Sequence, residues 1–70
     1  MKLKTINKLI QDQIGDFKIV KNGDYFYVAS DNEVLANDLA SLPTTSIYVA
    51  HLNHQSTQDW IDDVKGIISQ

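Results

Sequence analysis

The 70-residue chain predicts a small α+β fold, and three observations carry that expectation. Apolar residues recur at helical spacing near both ends, Asn-Gly separates two β-rich runs, and a third β-branched run follows the chain's proline. Together they predict a single domain of order α-β-β-α-β-α, with a three-stranded sheet packed against helices.

In the first segment Leu3, Ile6, Leu9, Ile10 and Ile14 form an apolar stripe, with Lys4, Lys8, Gln11 and Asp12 between them. An amphipathic helix is expected here, starting near Lys2 or capped by Thr5 and closed by Gly15. Phe17-Lys18-Ile19-Val20 and Tyr25-Phe26-Tyr27-Val28-Ala29 then flank Asn22-Gly23, the short-range signature of a β-hairpin. A two-residue turn at Asn22-Gly23 would set Lys21 opposite Asp24, Ile19 opposite Phe26 and Phe17 opposite Val28 on a core face. Val20 with Tyr25 and Lys18 with Tyr27 would then share the other face, where water is tolerated.

Ser30-Asp31-Asn32-Glu33 fits a capping box, so a short helix should follow through Leu35, Leu39 and Leu42, ending before Pro43. The alternative is a turn and loop over residues 33–42, because Asn37, Asp38 and Ser41 are indifferent helix formers. Ile47 to Leu52 reads as the third strand. A helical crossover would make it parallel to the second strand, and pairing with the first gives a wholly antiparallel sheet of order 2-1-3, the preferred arrangement. Ser56 with Asp59 starts the final helix, whose stripe is Trp60, Ile61, Val64, Ile67 and Ile68.

Composition narrows the function classes. The chain has no cysteine, which excludes disulfides and thiolate metal sites. No apolar run is long enough to span a bilayer, and Met1-Lys2-Leu3-Lys4 does not open like a signal peptide, so a cytoplasmic location is expected. The net charge of -3 is unevenly distributed: residues 1–30 hold five lysines and three aspartates, residues 31–70 one lysine and six acids. All six basic residues are lysine, so arginine's bidentate fork for phosphates and guanine edges is missing.

Catalytic signatures find little support. The glycines are isolated and form no phosphate loop, and no nucleophile elbow accompanies the serines. His51, Asn53, His54 and Asp59 contain metal-ligating types, but their spacing is not that of a known site, and the expected role of both histidines is structural. No catalytic, cofactor-binding or metal residue is therefore assigned, and the expected class is a non-enzymatic module that binds another protein.

The surface assigned to that role is acidic: Asp31, Glu33, Asp38, Asp59, Asp62 and Asp63, facing a basic and nucleic-acid-handling partner, as expected of an accessory or inhibitory protein of a phage or other mobile element. One alternative is weak binding of single-stranded nucleic acid through Lys18, Lys21, Tyr25 and Tyr27, since aromatic rings stack on bases and lysines track phosphates. Another is a homodimer paired through the third strand.

Overall fold

The helical stripes at the two ends of the chain become buried contacts. The computed structural model describes residues 2–70. Helix α1 (Leu3–Gln13) sends Ile6 and Ile10 into the core, and helix α3 (Thr57–Ile68) sends Trp60, Ile61, Val64 and Ile67 to meet them. Between these helices lie strands β1 (Lys18–Asn22) and β2 (Tyr25–Ala29), helix α2 (Glu33–Ala40), the short strand β3 (Ser46–Ile47) and a 3₁₀ turn at Leu52–His54. The order is α-β-β-α-β-α, and the sheet is antiparallel throughout, as expected.

Alternation along the strands divides the sheet into two faces. Ile19, Phe26, Val28 and Ile47 point inward and are buried, and they form one cluster with the helical residues and Leu39 of α2. Each helix contributes its buried side chains to that cluster, so all three lie on the same side of the sheet.

The hairpin register differs from expectation by two residues. Lys18 pairs with Ala29, Ile19 with Val28, Val20 with Tyr27, Lys21 with Phe26 and Asn22 with Tyr25. The turn is Gly23-Asp24, with Gly23 at φ +62° and no positive φ at Asp24, the pattern of a type II′ turn with glycine first. Placing Asn22 in the turn would require positive φ there as well. In the strand it instead donates from Nδ2 to the Tyr25 hydroxyl across the ladder, at 2.9 Å. A two-residue shift preserves parity, so the predicted inner and outer faces survive.

The strand order is β1-β2-β3, not 2-1-3. The expectation failed because the second helix does not carry the chain back along the sheet. Its eight residues reach only about 12 Å, and Ser41–Thr45 returns to the end of β2 that the chain has just left. There the Val28 amide donates to the Thr45 carbonyl at 2.9 Å. β3 therefore enters beside β2 and runs against it, pairing Tyr27 with Ser46 and Phe26 with Ile47.

The competing edge, on β1, is already occupied. Asn7 of α1 accepts from the Ile19 amide through Oδ1 at 2.8 Å and donates from Nδ2 to the Ile19 carbonyl at 3.2 Å. One side-chain amide thus takes the place of a neighbouring strand.

Two boundaries also change. The expected strand from Ile47 to Leu52 stops at Ile47, because continuing the register would set Tyr48 against Tyr25, the first residue of β2, and leave Val49 with no ladder partner. The Val49 amide instead turns back to the Ile47 carbonyl at 2.9 Å. The cap of α2 is Asn32, whose Oδ1 accepts from the Val34 and Leu35 amides, in place of Ser30. Ser30 Oγ accepts from the Asn32 amide and donates to the Asp16 carbonyl, fastening the start of α2 to the loop before β1.

Two substitutions check this arrangement. Val28→Asp places a charge against Ile19 in the core and should remove cooperative thermal unfolding, a loss above about 4 kcal/mol. Asn7→Ala strands the Ile19 amide and carbonyl and should cost about 1–3 kcal/mol in urea denaturation, with helix content by circular dichroism retained.

Candidate binding surface

Since all three helices lie on the inner face, the outer face of the sheet has no helix over it among the described residues. Its rows follow from the register: Asn22, Tyr25 and Tyr48 form one, and Val20, Tyr27 and Ser46 the next, with Lys18 and Ala29 beyond. All three tyrosines of the chain thus share one face. Tyr25 and Tyr27 are half-buried by their neighbours, whereas Tyr48 is 81% exposed. The Tyr25 and Tyr48 rings lie 5.8 Å apart at 36°, continuing the β2–β3 ladder one position beyond its last hydrogen-bonded pair.

Charge on this face is balanced. Lys18 Nζ contacts Asp31 Oδ1 at 2.9 Å, and the Lys18 side chain is 34% exposed. Such a surface pair adds little stability, but it neutralises the cation that a polyanion would need. Lys21 lies on the opposite face, opposite Phe26. Its ammonium is 5.6 Å from the Phe26 ring centroid and donates to the Ala50 carbonyl at 3.3 Å. The set Lys18, Lys21, Tyr25 and Tyr27 is therefore divided by the sheet: three members share the tyrosine face and Lys21 does not.

The acidic residues are dispersed. Asp59 and Asp62 project from the first half of α3 and are exposed, while Asp63 is half-buried. Asp59 completes the capping box with Ser56, Asp62 accepts from Gln58 at 2.9 Å, and Asp63 accepts from Gln55 at 2.8 Å. Asp31 is paired with Lys18, and Glu33 is exposed in the first turn of α2. Asp38 borders a shallow apolar groove formed by Phe17, Leu35, Leu39, Leu42 and Ile68. Ile68 is at the far end of α3 from Asp59, about 13 Å along the helix axis. Trp60, which the acids surround in sequence, is fully buried and offers no anchor to a partner.

His51 and His54, separated in the sequence by Leu52 and Asn53, converge: their rings are 4.8 Å apart and nearly perpendicular, at 88°. Among the described residues no group of three or more metal-ligating acids or histidines is gathered. The strand edge considered for self-association is reduced to Ser46–Ile47, and short edge strands resist pairing with a second copy.

Tyr48 is the surface residue that the sequence reading left out. Its signal was the alternation of Ile47 and Tyr48, which sends one inward and the other outward, but its neighbours depend on which strand β3 joins.

The structural and binding roles of the acids can be separated. Asp59→Lys removes the reciprocal cap and opposes the helix dipole, and should cost about 1 kcal/mol in thermal unfolding. Asp38→Lys, in the last turn of α2 with an exposed side chain, should unfold within about 0.5 kcal/mol of the parent.

No protein-family model matches the chain, and no curated protein or solved structure matches it.

Proposed function

We propose that this chain is a non-enzymatic, cytoplasmic module that binds one protein partner through the outer face of its sheet, centred on Tyr27. The observation that supports the reading is the gathering of Tyr25, Tyr27 and Tyr48 around Val20 on a face that no helix covers, with Lys18 neutralised by Asp31. Interface cores favour this composition. Tyrosine supplies a large amphipathic ring with few torsions to freeze, and charged groups are depleted there.

The acids have a complementary role at longer range. Asp31, Glu33, Asp38, Asp59, Asp62 and Asp63 belong to a chain of net charge -3 and would speed encounter with a basic partner without forming one contact patch. A basic, nucleic-acid-handling protein fits that field. Single-stranded nucleic acid fits less well, because stacking on the tyrosines would occur beside a neutralised lysine and under an unfavourable net charge.

The test is affinity capture with the whole chain at low and high salt, followed by calorimetry with the captured partner. Tyr27→Ala should weaken that partner by roughly thirtyfold, the scale of an interface hot spot of about 2 kcal/mol. Tyr48→Ala should weaken it with unchanged thermal stability, since that ring is exposed. Retention of the partner by the Tyr27→Ala, Tyr48→Ala double variant would reject the tyrosine face. Capture of RNA or DNA in place of protein would transfer the surface to the nucleic-acid reading.

A further inference from the structure

The two histidines have no part in the tyrosine face, yet the fold brings them together. A 3₁₀ turn nearly eclipses side chains three residues apart. His51 precedes the turn at Leu52–His54, and the His54 amide donates to the His51 carbonyl at 3.1 Å, which holds the two Cα positions. Both side chains are exposed. Their ring centroids stand 4.8 Å apart.

That separation matches chelation of a single ion. A metal held about 2.0–2.1 Å from one nitrogen of each imidazole lies roughly 3.2 Å from each ring centre, and an inter-ligand angle of about 90–110° then spaces the centroids by roughly 4.5–5.2 Å. The rings are perpendicular, in an edge-to-face contact. Chelation would require rotation about the soft Cβ–Cγ torsions to aim both lone pairs at a common point, with the backbone left in place.

We propose that His51 and His54 form a two-imidazole chelate for a divalent ion of the zinc, copper or nickel type. Imidazole selects these ions over magnesium and calcium, which prefer oxygen. Water fills the remaining coordination positions, so the ion exchanges readily. Binding is transmitted to the core, because the Leu52 carbonyl inside the clamped turn accepts the Trp60 indole N–H at 2.9 Å. The ion would stiffen the connection between β3 and α3.

The experiment is titration of zinc chloride into the purified full chain, followed by nuclear magnetic resonance of the imidazoles and of the Trp60 indole N–H. Both histidines should shift together and saturate at one equivalent per monomer, the Trp60 signal should move with them, and magnesium should leave all three unchanged. His51→Ala and His54→Ala should each lose the joint shift while keeping the metal-free circular dichroism of the parent. Absence of a saturable shift in the parent chain would overturn the chelate. So would a shift that persists in either variant, or saturation at one ion per two chains with dimerisation in sedimentation, which would show an ion bridging separate molecules.

Discussion

Trp60 joins three separate parts of the chain. Its indole is fully buried, its ring packs edge to face on Phe26 with centroids 4.8 Å apart at 69°, and its N–H donates to the Leu52 carbonyl. The first contact holds α3 to the central strand, and the second ties α3 to the turn after β3. A buried indole must satisfy its N–H, and here the acceptor belongs to a segment with few apolar residues of its own. The turn that carries the histidine pair is held to the core by this attachment.

Polar side chains are used in a similar way, as replacements for missing backbone partners. Asn7 satisfies the outer groups of Ile19 where another strand would otherwise lie, Asn32 caps α2, and Ser56 with Asp59 caps α3. Among the described residues no buried side-chain nitrogen or oxygen is left without a partner. A small fold gains most from such contacts because its core is limited by the high surface-to-volume ratio of a short chain. Much of the polar chemistry in the sequence is therefore already committed to holding the backbone.

The two faces of the sheet show how packing separates stability from recognition. Residues one position apart in β2 have opposite fates: Phe26 and Val28 disappear beneath helices, while Tyr25 and Tyr27 line the side that no helix reaches. A tyrosine accepts this half-exposed position because its ring covers neighbours and its hydroxyl remains in water. Tyr48 extends the same surface past the end of β3, where the ladder has stopped but side-chain contact has not. The open face is thus a consequence of placing three helices on one side of a short sheet.

The sequence by itself determined the α-β-β-α-β-α order and most of the residues that the elements bury. Helical spacing placed Ile6, Ile10, Trp60 and Val64 inside, period-two alternation placed Ile19, Phe26 and Val28 beside them, and Ser56 with Asp59 marked the start of α3. Those features depend on local geometry, which a few neighbouring residues settle. The neighbour chosen by β3 and the union of Tyr48 with Tyr25 were decided only in the tertiary structure, while the turn at Gly23-Asp24 and the approach of His51 to His54 rest on local backbone geometry that the sequence pattern left open. The hairpin had two turns of equal parity available, and the choice fell to the glycine that could adopt positive φ alone. The sheet order required two distant facts at once: Asn7 occupying the edge of β1, and the connection through α2 returning to the end of β2 from which it began. Neither can be read from local periodicity, because each is a contact between segments whose separation along the chain carries no pattern.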